Sequence, residues 1–286
     1  MNRVAPFNLQ RSTALQQLGR FDPTAREGSD FFEKTFFHRR ERVTVRLHHA
    51  GDKLFIEGPE SMVAHWQWPP DDGYDSFAPN HPHLRRLHAR SGLRIFPVPW
   101  LFDVAAGAVL QQRVRFVDAC EDWRRIVEQL SDGEAFPAAE DIARMGTWEF
   151  QQLGIDAQRA RTLRALAREQ VFAQFLSPGH PRERVRLRLQ RIPGIGPWTT
   201  AMVMGFGLGD TDALITGDVH LPRIVCEALG GMGGMGGIGG QAGQPAQTQD
   251  PDDSQMMALL QPFAGQRFRV CRLLLAASLG GGVASR

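Results

Sequence analysis

Apolar positions follow two different periods along this chain. Up to about residue 95 they alternate. In RVTVRLHH (42–49) Val43, Val45 and Leu47 point one way and polar neighbours the other, a half-buried strand. KLFIEG (53–58) repeats the pattern after a turn at Ala50–Lys53, so the two predict a hairpin. DFFEKTFFHRR (30–40) reads as a further strand or its lead-in. A polar, proline-rich stretch, WQWPPDDGYDSFAPNHPH (66–83), follows. Residues 1–95 therefore read as a small antiparallel α+β domain.

From about Pro97 the period is helical. FDVAAGAVLQQRVRFVDACEDWRRIVEQL (102–130) has apolar residues at three- and four-residue steps, which predicts two helices or one kinked helix broken around Gln111–Arg115. Further helices are predicted over 138–145, 147–154, 156–172 with Asp156 as cap, and 181–192. A last helix, or a pair broken at Pro262–Gly265, runs from Gln255 to about Ser278. Residues 96–229 and 255–286 thus form a mainly helical core. The glycine- and methionine-rich segment 230–254 cannot bury a core and reads as a disordered insertion. The fold class is α+β: a small β-rich N-terminal domain followed by a helical core.

The net charge of +2 hides an asymmetry. Residues 151–200 carry nine arginines (159, 161, 164, 168, 182, 184, 186, 188, 191) against Asp156, Glu169 and Glu183, a balance of 9 − 3 = +6. Such a run is a solvated helix face or a nucleic-acid footprint. No stretch resembles a membrane span or a signal peptide. Cys120, Cys226 and Cys271 are scattered and odd in number, so they make neither a disulfide framework nor a four-cysteine metal site. The chain reads as a reduced, cytoplasmic, nucleoid-associated protein and a monomer. His48-His49 and His81/His83 lack further ligands at suitable spacing, so no metal is expected.

The basic run leads into LQRIPGIGPWTTAMVMGFGLGDTDALITGDVHLPRIVC (189–226). Pro193-Gly194-Ile195-Gly196-Pro197 reverses the chain between two helices, because glycine takes positive φ without steric cost. The second helix then starts with free N–H groups that suit a phosphate oxygen. A plain helix–helix turn is the other use of such a sequence. Asp218 is a lone carboxylate just before the next helix, placed to act as a cap or to stabilise positive charge. Asp210 and Asp212 read as turn residues.

LQRIPGIGPWTTAMV resembles the helix-hairpin-helix of the HhH-GPD DNA glycosylase superfamily, with Asp218 at the place of its carboxylate. AAGAVLQQRV (105–114) is similar to the "ILxQQ" helix of the same superfamily. The alkylation-repair branch, 3-methyladenine DNA glycosylase II, is the most similar, and it too carries an N-terminal antiparallel domain. The resemblance implies a glycosylase that breaks the N-glycosidic bond of damaged, alkylated bases flipped out of duplex DNA. Asp218 would stabilise the oxocarbenium-like sugar and orient water. Trp198, Met202 and His220 would line the base pocket. Gly194, Ile195, Gly196 and Thr199 would hold the DNA backbone. Gln112 and Arg113 would plug the gap, although an apolar residue is usual where Arg113 stands.

Lysine-using members of the superfamily place their nucleophile where this chain has Trp198, and no lysine follows Lys53. The chain is therefore expected to be monofunctional, without lyase activity. Four clustered cysteines for an iron–sulfur cluster are absent. No cofactor is expected, and a monovalent cation at the hairpin is the one ion the resemblance admits. A non-catalytic helix-hairpin-helix protein that binds DNA or senses lesions is the alternative.

Overall fold

Alternation in the N-terminal strands puts Phe32, Phe36, Val43, Val45 and Leu47 on one buried face of an antiparallel sheet. A computed structural model of the chain describes residues 7–50, 53–64, 70–177, 179–230 and 251–281. After a short helix α1 (Leu9–Thr13), four strands pair in sequence order: β1 (Ala25–Glu27), β2 (Phe31–His38), β3 (Glu41–Ala50) and β4 (Lys53–Glu57). β2 is a full strand, paired along its whole length with Glu41–His48 of β3. β1 has only three residues, too few for a periodic signal. Gly51 and Asp52, in the turn of the expected hairpin, lie outside the described residues, as do 65–69 of the proline-rich stretch.

Helices α2 (Glu60–Val63) and α3 (Pro82–Ser91) follow. Next come α4 (Leu101–Leu110), α5 (Phe116–Leu130), α6 (Ala139–Arg144), α7 (Thr147–Gln152) and α8 (Ala157–Ala173). The 102–130 stretch is thus two helices, and Asp156 caps α8 by accepting from the amides of Gln158 and Arg159. Then come α9 (Arg182–Leu189), α10 (Pro197–Met202) running on as a π-helical turn at Val203–Gly207, and α11 (Leu221–Leu229). α12 (Asp253–Leu260) and α13 (Arg267–Gly281) flank a 3-10 turn at Gln261–Phe263. No helix among the described residues is long and apolar enough to cross a membrane.

The expected insertion ends earlier than its composition indicates. Asp252 caps α12 by accepting from Gln255 N–H, and Asp253 begins that helix. Residues 231–250 lie outside the described residues.

Packing crosses the boundary placed at residue 95. Trp100, next to α4, sits with its ring centroid 6.0 Å from Phe32 and 5.9 Å from Phe36 on the sheet. Gln16 donates to Phe206 O at 2.9 Å. Arg272 of α13 donates to Arg11 O and Ser12 O of α1. Arg269, fully buried, bonds Asp72 at 2.8 Å and Leu93 O at 3.1 Å. The C-terminal helix therefore closes the N-terminal segment onto the helical core through charged but fully partnered groups.

Candidate active site

The hairpin is built by one tight turn. Ile195 N–H donates to Ile192 O at 3.0 Å, with Pro193 and Gly194 between them. Gly194 has φ +90. Proline at the second and glycine at the third position with positive φ is the sequence pattern of a type II turn. A Cβ on Gly194 would fall 2.0 Å from Thr162 Oγ1 of α8, so the turn seats directly on that helix. Gly196 is the opposite case: its φ is −96 and a Cβ there would meet nothing within 4 Å. Its face is open.

The N–H groups of Gly194 and Gly196 have no partner among the described residues, and the first-turn amides of α10 follow them. These are donors in position for a phosphate. The other two residues expected at the backbone, Ile195 and Thr199, have partners within the fold. The Ile195 amide is used inside the turn and its side chain is buried. Thr199 is buried and its hydroxyl accepts from Gln112 Nε2 at 2.8 Å.

That contact also involves Gln112, read from the sequence as a wedge. Its Nε2 donates both to Thr199 Oγ1 and to Gly194 O at 3.0 Å, so it ties the end of α4 to the hairpin. Arg113, next in the chain, is exposed and held at φ +57, the left-handed region. The α4 end is fixed from below by Arg159, which donates to Leu110 O at 2.8 Å and pairs with Asp122 at 2.7 Å. Arg159 is therefore a core residue and leaves the basic footprint. Arg186 and Arg188 are paired with Glu183 and Glu169. Arg161, Arg168, Arg182, Arg184 and Arg191 remain exposed without an ion pair among the described residues.

Asp218 is half-buried and held by three donors. Its Oδ2 accepts from Trp198 Nε1 at 3.0 Å, and its Oδ1 accepts from the amides of His220 and Leu221, both at 2.8 Å. The carboxylate therefore satisfies the start of α11 and is locked to the helix after the hairpin. Trp198 and Met202, one helical turn apart, are half-buried against the core on the same face. His220 is exposed, at the rim of the site.

Sequence reasoning missed two supports. Gly217 N–H donates to Asp253 Oδ2 at 2.7 Å, so α12 sets the loop that carries Asp218. Cys271 of α13 is buried with its thiol pushed up to about 12, chiefly by burial and further by the charge of Asp218, so it stays protonated near that carboxylate. Both lie far away in sequence, with no local signal. Asp212 is structural: it pairs with Arg267 at 2.5 Å and accepts from the Gly265 amide. For a monovalent cation, the turn carbonyls of Ile192 and Gly194 each accept one N–H and retain a second lone pair. Among the described residues no three His, Cys, Asp or Glu side chains converge to hold a metal.

A probable bifunctional transcriptional activator/DNA repair enzyme AlkA of Mycobacterium tuberculosis is 33% identical over 96 residues, which make up 33% of this chain and 18% of that protein. The match thus spans under a fifth of the curated relative. A 3-methyladenine DNA-glycosylase from Archaeoglobus fulgidus shares the fold at a TM-score of 0.68, with 17% identity and 97% of each chain covered. An 8-oxoguanine glycosylase/lyase from Clostridium acetobutylicum, solved with double-stranded DNA, gives a TM-score of 0.63 and 13% identity over 97% of this chain and 93% of that one. The family model described as HhH-GPD superfamily base excision DNA repair protein matches residues 106–233, from within α4 through Gln112 and the hairpin to Asp218 and α11. Over these residues the chain is similar to the HhH-GPD superfamily.

Proposed function

We propose that this chain is a monofunctional DNA glycosylase of base excision repair that hydrolyses the N-glycosidic bond of alkylated bases flipped from duplex DNA. The observation that carries this is Asp218, a half-buried carboxylate locked by Trp198 and the α11 amides beside a hairpin with free N–H donors. Breaking the glycosidic bond builds positive charge on the sugar, and a fixed carboxylate stabilises it without reorganising. One carboxylate suffices when the base is already cationic and leaves without protonation. The indole ring of Trp198 offers such a base a π-face. The amides of Gly194 and Gly196 with the five exposed arginines hold the backbone, and Arg113 fills the space the base leaves.

The alkylation-repair reading agrees with the activity of the Archaeoglobus fulgidus protein of the same fold. The missing lyase step rests on lysine placement: Trp198 stands after the hairpin, and Lys34 is buried against Asp22. Borohydride trapping on damaged duplex should give no covalent adduct.

The deciding experiment is Asp218→Asn. Asparagine keeps the oxygen that caps α11, but loses the charge and the oxygen that accepts from Trp198 Nε1. The variant should bind duplex as the parent does and release base at least ~100-fold more slowly from alkylated duplex. If the parent itself releases no base from alkylated, deaminated or oxidised duplexes, the non-catalytic DNA-binding reading replaces this one.

A further inference from the structure

Asp103 takes no part in the chemistry above. It sits in the first turn of α4, 4% exposed, and its Oδ2 has no hydrogen-bond partner. A buried carboxyl oxygen without a partner is costly and points to something that occupies the space beside it. That space is a cavity of about 50 Å³. Its walls are the end of β2 with its turn, the starts of α4 and α6, and the C-terminal end of α8 with the residues after it. It is room enough for more than one water-sized group.

The charges around Asp103 favour an anion there. Lys34 lies within electrostatic range but is paired to Asp22 at 3.2 Å. Arg39 and Arg40 line the cavity; Arg39 makes no ion pair among the described residues, and Arg40 reaches Asp141 only at 3.9 Å. His38 is driven toward its neutral form, first by burial and then by Arg39. Glu140 is the one acid besides Asp103 on the cavity wall. α4 begins without a side-chain cap, and its first two residues, Leu101 and Phe102, are buried. Its first turn therefore lacks a capping side chain, and its dipole favours a negative group at this end.

We infer that this cavity is a binding site for a tetrahedral oxyanion, sulfate or phosphate, with Asp103 donating its carboxyl proton to the anion and Arg39 and the start of α4 supplying positive field. Burial pushes the Asp103 carboxyl up to about 7, Lys34 working against this and Asp22 with it. Asp103 is thus a donor below neutral pH and a repelling anion above it. The site lies at the opposite end of α4 from Gln112 and is independent of the glycosylase reading.

The test is thermal unfolding of the full chain with sodium sulfate against sodium chloride at matched ionic strength, at pH 6 and pH 8. Sulfate does not titrate in this range, so any pH dependence belongs to the protein. The parent should gain more from sulfate than from chloride, with an affinity roughly tenfold higher at pH 6, since one proton is coupled to binding. Asp103→Asn keeps a donor and should bind equally at both pH values. Arg39→Ala should lose the sulfate effect while base release is unchanged. Competition by a 5′-phosphorylated oligonucleotide, but not by the same strand without the phosphate, would assign the anion to a DNA terminus rather than a free ion. An equal response to sulfate and chloride at both pH values overturns the proposal. So does a high-resolution structure in sulfate with only waters beside Asp103.

Discussion

Trp198 donates its indole N–H to Oδ2 of Asp218 at 3.0 Å, while Oδ1 is held by two amides of the next helix. The tryptophan thus fixes which way the carboxylate faces. Trp198→Phe keeps a ring and removes the N–H. A hydrogen bond to a charged group contributes about 1.5–3 kcal/mol, so single-turnover base release should fall roughly ten- to a hundredfold with duplex affinity unchanged. An unchanged rate would reduce Trp198 to a packing residue.

The two hairpin glycines should fail in different ways. Gly194→Ala forces a side chain into the left-handed region and onto Thr162 Oγ1, 2.0 Å away. Urea unfolding should show a loss of about 2–4 kcal/mol. Gly196→Ala meets open space at an ordinary φ, so stability should hold, whereas the new methyl on the open face should weaken duplex binding. Equal stability losses for both would contradict the packing described.

Gln112 and Arg113 are adjacent but separable. Gln112→Ala removes two hydrogen bonds to the hairpin and should cost about 1–3 kcal/mol of stability. Arg113→Ala touches an exposed residue and should leave stability within about 0.5 kcal/mol. It should slow base release from duplex far more than from a single strand, where no gap needs filling. The comparison is one set of melting curves and two substrates.

Asp103 should make stability fall as pH rises. Its carboxyl ionises near 3.8 when unfolded and near about 7 when folded. Below the first value both states hold the proton. Between them only the folded state does, so stability is lost progressively as pH climbs, and the loss is complete above the second. Asp103→Asn should therefore gain on the parent by a few kcal/mol between pH 4.5 and pH 7.5 in chloride buffer, read by urea midpoints. A constant difference would show that the burial of Asp103 is relieved by solvent.

The breaks at Gln111–Arg115 and Pro262–Gly265, the alternation in β3 and the Asp156 cap were all visible in the chain, because local periodicity and turn chemistry are properties of neighbouring residues. So was the Pro193–Gly196 turn with Asp218 downstream. Other features needed distant segments brought together. Arg159 looked like part of a basic face, yet its partners are Asp122 and Leu110, 37 and 49 residues away. Gln112 looked free, yet it is bound across 82 and 87 residues. Asp253 supports Gly217 from beyond the glycine-rich segment. Local sequence determines which backbone conformations are cheap and which faces must be buried. Which polar groups are consumed by partners and which stay free for a ligand depends on three-dimensional neighbours, and only the tertiary structure decided that.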